Sequence, residues 1–209
     1  MVDLYDETLD EIKQERNFLI FKKLLKILLV GLVVALLFAV IYLIISNIQK
    51  NRIEESALAY YQIQQSAKDG SPITDKLKAL SDDANNYGGF ASLELANEAR
   101  NSGDLATAVE LYKEVGSNKK YNTVVRDLAF LQYVILQLNG EVQESLLDDV
   151  NSALNKNFVF SYALKEAKAY ILLKLKREDE AKALIQSITN DQDAPQGIVE
   201  RSRSIISIL

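Results

Sequence analysis

Residues 27 to 45 read ILLVGLVVALLFAVIYLII, nineteen in a row without a charge. No other feature of the chain restricts its folding as strongly. At about 1.5 Å rise per residue such a helix spans about 28 Å, close to the thickness of a bilayer's hydrocarbon core. A helix buried in a soluble protein usually keeps a polar stripe, and this one is apolar all round. A cleaved signal peptide has a shorter apolar region that ends at a small-x-small site. Here the run ends in Ser46-Asn47-Ile48-Gln49-Lys50, with no such site. The pattern predicts an uncleaved transmembrane signal anchor over residues 24–48. It would separate an N-terminal segment, 1–23, from a domain of residues 49–209.

Orientation follows the basic residues that flank the span. Lys13, Arg16, Lys22, Lys23 and Lys26 precede it; Lys50 and Arg52 follow it. Five against two predicts a cytoplasmic N-terminus and a C-terminal domain outside the cytoplasm. In a Gram-negative cell that is a single-pass protein of the inner membrane with its domain in the periplasm. The absence of cysteine fits an oxidising compartment. Gly31, Ala35 and Ala39 fall at i, i+4 and i+8, a spacing that lets helices approach closely in lipid. The head carries Asp3, Asp6, Glu7, Asp10, Glu11 and Glu15, interrupted by Val2, Leu4, Leu9, Ile12 and Phe18. It reads as a solvated tail, with a short amphipathic docking helix as the alternative.

Beyond the anchor the chain is mildly acidic. Of its 24 basic and 29 acidic residues, five and six precede Lys50. A whole-chain net charge of −5 and a pI near 5.0 exclude a general nucleic-acid binder, which needs a basic face. Sustained period-two alternation is missing, whereas helical periodicity is strong. Val124, Leu128, Leu131, Ile135 and Leu138 form one stripe. Leu105, Ala108, Val109 and Tyr112 form a second, and Ala181, Leu184, Ile185 and Ile188 a third. Breakers such as Tyr87-Gly88-Gly89, Ser102-Gly103, Gly116-Ser117-Asn118 and Asn139-Gly140 predict helices near 51–68, 73–84, 89–101, 105–115, 121–138, 142–154, 160–175, 178–188 and 195–208. The fold class is all-α: one transmembrane helix, then a solenoid of α-hairpins.

Two hairpins share a grammar. Leu95-Ala96-x-x-Ala99-x-x-x-Gly103-Asp104-Leu105-x-x-Ala108-x-x-x-Tyr112 matches the tetratricopeptide pattern. Small Ala96 and Ala108 lie where the two helices touch, and Gly103 makes the turn. Ala169-x-x-Leu172 followed by Ala181-x-x-x-Ile185 repeats it, with Lys176 in place of the glycine. The hairpin between them, roughly 121–155, keeps only Ala129 as a small position. Stacked hairpins present a concave surface lined by the first helix of each unit. Counting from Ala96, the groove-facing candidates are Leu93, Asn97 and Arg100. Counting from Ala169, they are Glu166, Tyr170 and Leu173. For each, core packing or a solvated face is the competing reading.

Catalysis finds little material. Without histidine or cysteine there is no Ser-His or Cys-His pair, no histidine-based metal site, no disulfide and no iron–sulfur site. The carboxylate groups Asp82-Asp83, Asp148-Asp149 and Glu178-Asp179-Glu180 fall at helix starts, turns or hydrophilic faces, where acids favour the helix dipole. The chain reads as no enzyme, with no cofactor.

The stretch Tyr87-Gly88-Gly89-Phe90-Ala91-Ser92-Leu93-Glu94-Leu95-Ala96 resembles the family of the ancillary SecYEG translocon subunit, the YfgM-like proteins. An acidic head, a lysine-flanked anchor, the Ala-Tyr-rich helix at Ser56-Ala57-Leu58-Ala59-Tyr60 and the repeats match that family's layout along nearly the whole chain. Tryptophan and arginine just after the anchor are missing here. The resemblance implies a non-enzymatic partner of the Sec translocon. It would work beside a membrane-anchored periplasmic chaperone of the PpiD type, on exported protein chains. The same architecture also fits a scaffold for outer-membrane assembly, division or stress signalling.

Overall fold

The computed structural model describes the backbone of residues 3–83 and 85–206. It describes their side chains except at 3–21, 24, 25, 27, 29, 30 and 33. Among the described residues all regular structure is helical: α1 (Asp3–Lys68), α2 (Thr74–Ser81), α3 (Asn86–Asn101), α4 (Leu105–Ser117), α5 (Thr123–Gln137), α6 (Glu144–Leu154), α7 (Ser161–Lys174), α8 (Glu178–Thr189) and α9 (Gln196–Ile206). The chain divides into two units, Met1–Glu54 and Glu55–Leu209.

The first unit is helical from Asp3, so the acidic head is helix rather than tail in its backbone; the head's side chains lie outside the described residues. The break expected between the anchor and a helix at 51–68 is absent. Nothing between Ile45 and Lys68 is a glycine or proline, and Lys50 meets Glu54 one turn on at 3.9 Å. Apolar side chains of the anchor are bare: Phe38 is 69% and Leu43 65% exposed. Among the described residues α1 is the one helix long and apolar enough to cross a membrane, and none of its apolar window is buried. Gly31, Ala35 and Ala39 are all exposed.

In the second unit α3, α4 and α5 each start on a side-chain cap. Asn85 Oδ1 accepts from the amides of Tyr87 and Gly88, Asp104 from Thr107, and Asn122 from Val125. Each such cap contributes about 1 kcal/mol. The glycines at 88 and 89 are not a stop. They open α3, because the chain there has no room for a side chain. A Cβ at Gly88 would lie 2.0 Å from the Asp83 carbonyl oxygen, and one at Gly89 2.9 Å from Val125 Cγ1. Gly116 likewise stays inside α4, with the α5 backbone at Phe130 close by. Of the expected helices, position 84 and the last two residues of 195–208 lie outside the described residues.

The turns follow the repeat grammar. Gly103 takes φ +86°, and Lys176, seven residues after Ala169 as Gly103 is after Ala96, takes φ +60°. Ala96, Ala108, Ala169 and Ala181 are fully buried. With methyl groups at the crossings, α3 packs closely on α4 and α7 on α8. The expected hairpin at 121–155 is different. Its helices α5 and α6 present Leu131, Val134, Leu147 and Val150 to a shared core, and those larger side chains hold the backbones apart. Their close partners are instead α4 for α5 and α7 for α6.

The first helices of successive hairpins adjoin: α3 meets α5, α5 meets α7, and α7 meets α9. Two main cores result. Leu93, Ala96, Ala108, Tyr112, Val125 and Ala129 belong to one. Leu147, Val150, Leu164, Ile171 and Leu172 belong to the other. Of the stripe read along α5, Leu131 is buried and Leu128 and Leu138 pack against the cores. Val124 and Ile135 are exposed, while Val125, Ala129 and Val134 are buried. A helix flanked by three neighbours is apolar on several faces, so periodicity alone does not choose among them.

Candidate functional site

The site begins with the close approach at Gly89. Because α3 carries no side chain there, Val125 and Tyr121 of α5 press against its backbone. One and two turns further along α3, this sets Leu93, Glu94 and Asn97 opposite Leu128 and Gln132 of α5. Tyr60, near the end of α1, and Phe90 form a wall, and Tyr112 of α4 reaches in from behind. These eight residues line a cavity of about 170 Å³. Tyr60, Tyr87 and Phe90 form an aromatic cluster, with ring centroids 6.1 to 6.2 Å apart.

Polar groups converge on its floor. The buried Tyr112 donates its hydroxyl to Asn97 Oδ1 at 2.6 Å. Burial raises the pKa of that phenol; the Arg100 charge opposes the rise and the Glu94 charge adds to it. Asn97 Nδ2 lies 3.5 Å from a Glu94 carboxylate oxygen. Arg100 donates to Gln132 Oε1 at 3.3 Å, tying α3 to α5 at the rim. Of the eight lining residues only Glu94 is charged.

The candidates counted from Ala96 therefore gather here. Leu93 and Asn97 line the cavity and Arg100 sits beside it, although Leu93 is 6% exposed and also belongs to the core. The three counted from Ala169 lie elsewhere. Glu166 is buried beneath α9, its carboxylate oxygens accepting from Arg201 Nε at 2.7 Å and Nη2 at 2.8 Å. Tyr170 is exposed on α7. Leu173 is half-buried against the α7, α8 and α9 side chains. Tyr60, Phe90, Glu94, Tyr112, Leu128 and Gln132 were not singled out as groove residues by their sequence. Leu128 and Gln132 carried the clearest signal, being one turn apart on the helix that follows the better-matched hairpin.

The carboxylate groups weighed as catalytic have structural partners or stand on helix surfaces. Asp83 accepts from Ser56, which in turn accepts from Asn85 Nδ2. Glu180 receives Arg177 Nε at 2.7 Å and Nη2 at 2.8 Å, which holds its pKa below the usual carboxylate range. Asp148 and Asp149 lie within α6. Among the described residues no group of three or more acidic side chains is placed to hold a metal ion.

Hairpins packed through small residues, left-handed turns at equivalent positions and adjoining first helices describe a tetratricopeptide-like array. A family model described as a tetratricopeptide repeat-like domain matches residues 20–206. The chain belongs to that family. Comparison with curated proteins and with solved structures gives no match. The matched range takes in the apolar run as well as the hairpins. A tetratricopeptide-like domain is a protein-interaction scaffold, typically without catalysis of its own, and implies protein partners in general.

Proposed function

We propose that the chain is a membrane-anchored interaction module whose repeat domain binds protein segments in the periplasm. The observation that supports this is the union, in one chain, of a bare apolar helix of membrane-spanning length with a tetratricopeptide-like domain. The excess of basic residues before the span supports a domain outside the cytoplasm. Tethering raises the effective concentration of the domain beside a membrane channel. Gly31, Ala35 and Ala39 form a face for packing against another membrane helix. The groove candidates Leu93, Asn97 and Arg100, with the exposed Tyr170 further along, serve contact with a partner.

The resemblance to YfgM-like proteins names the setting: the SecYEG translocon and a PpiD-type chaperone, with newly exported chains handed between them. Photo-crosslinkers at Asn97 and Tyr170 in membranes, together with copurification from detergent, test it. Recovery of the SecY channel, the chaperone or an export substrate is the expected result. Recovery only of outer-membrane assembly or division proteins would move the module to another envelope process. Recovery of no protein at all would end the interaction reading.

A further inference from the structure

We infer that the cavity between α3 and α5 is a subsite for a cationic side chain, a lysine or arginine carried by an extended protein segment. The inference rests on the interaction reading above and names what its groove selects. Size comes first. The cavity has a volume of about 170 Å³, room for several waters. That suits one long side chain and falls short of the roughly 300 Å³ at which small-molecule pockets begin.

The lining then decides the charge. Tyr60, Phe90 and Tyr112 supply aromatic rings, whose negative faces attract cations within about 6 Å. Leu93 and Leu128 supply an apolar sleeve for a methylene stem. Glu94 is the single charged residue in the lining. Among the described residues it has no ion-pair partner, and its hydrogen bond from Asn97 is stretched to 3.5 Å. Its charge reaches the Tyr112 hydroxyl, where the charge of Arg100, tied to Gln132 at the rim, opposes it. A carboxylate held among aromatic rings, with its lone pairs largely open, fits an ammonium or guanidinium. It repels an acidic side chain or a chain's terminal carboxylate. Asn97 and Gln132 offer amide groups along the same floor for the bound segment's backbone.

The test uses the full chain in detergent micelles and fluorescence anisotropy. The probes are short, labelled, end-capped peptides, alike except for one central residue between two leucines: lysine, glutamine or glutamate. The lysine peptide is expected to bind about tenfold more tightly than the glutamine peptide, and the glutamate peptide most weakly. Glu94→Gln, with unchanged circular dichroism, should erase the lysine preference, and Glu94→Lys should invert it. A lysine preference that survives in Glu94→Gln, or a tighter glutamate peptide, overturns the inference. Equal binding of all peptides, weakened for all by Asn97→Ala, overturns it while leaving the groove reading intact. Binding of none overturns both.

Discussion

The hairpins α3/α4 and α7/α8 share one backbone grammar and use it differently. Each places two buried alanines at the crossing, a left-handed residue at the turn and a following helix, α5 or α9, against its first helix. They diverge at three equivalent positions. One turn after Ala108 stands Tyr112, whose hydroxyl reaches the groove residue Asn97. One turn after Ala181 stands Ile185, fully buried and with nothing to donate. The groove position equivalent to Asn97 is the exposed Tyr170, and the one equivalent to Leu93 is Glu166, covered by Arg201. The first hairpin therefore keeps an open, polar-floored cavity. The second spends its equivalent face on holding α9. Repeat grammar fixes packing, and the residues it leaves free decide which unit can receive a partner.

Truncating the two equivalent core side chains is expected to have the largest effect. Tyr112→Ala should cost about 4 kcal/mol and Ile185→Ala about 3 kcal/mol, read as urea midpoints at constant slope. The difference between the hairpins lies in the hydroxyl. Tyr112→Phe should cost about 1 kcal/mol and free the Asn97 amide. If Tyr112→Phe is silent, the hydrogen bond is not what distinguishes the first unit.

The pair under α9 should break asymmetrically. Arg201 is 58% exposed and Glu166 10%. Arg201→Ala strands a buried carboxylate and should cost about 2 kcal/mol. Glu166→Gln leaves a charge that water can reach and should cost under about 1 kcal/mol. Equal losses would mean that α9 is held by its apolar contacts, chiefly Ile205, rather than by the pair.

At the turns, Gly103→Ala forces a Cβ into the left-handed region and should destabilise by about 1 kcal/mol. Lys176→Gly relieves the same strain in the second hairpin and should stabilise by several tenths, about 0.5 kcal/mol. Opposite signs at equivalent positions are the outcome that supports a shared turn.

The smallest effect is pH-dependent; Thr107 holds the Asp104 carboxyl low at the first hairpin's turn, and the second hairpin and its exit carry two such groups. The amide of Asp193 and the hydroxyl of Tyr162 hold the Asp191 carboxyl below its ordinary pKa, and Arg177 does the same for Glu180. A depressed carboxylate pKa contributes stability above the unfolded value, near pH 4, which is lost as pH falls through the folded value. Asp191→Asn should flatten the acid limb of the stability profile by removing that small contribution at neutral pH, while stability below the folded pKa stays nearly unchanged. An unaltered acid limb would place the acid sensitivity elsewhere.

Much of this was legible beforehand. The alanine-glycine spacing located both hairpins and assigned Lys176 to a turn that normally takes glycine, because small residues and left-handed turns leave a direct mark on sequence. Three things were not legible. Gly88 and Gly89 read as a stop, since a glycine that permits close approach looks the same as one that ends a helix. The apolar stripe of α5 took in Val124 and Ile135, which are exposed, and passed over Val125 and Val134, which are buried, because that helix is apolar on several faces. The cavity needed Tyr60 and Gln132, 72 positions apart in the chain, and nothing local signals that they share a wall.

The sequence by itself determined the apolar helix of membrane-spanning length and the helical grammar. A continuous apolar run admits one way of satisfying its backbone in lipid. Methyl-sized residues at fixed spacing admit one kind of hairpin. Which groove positions stay open was decided only by tertiary structure. Access depends on whether a neighbouring helix brings an arginine, as α9 does to Glu166, or a glutamine and a leucine, as α5 does to Asn97 and Glu94. That is a matter of packing between helices, which the spacing within each helix does not encode.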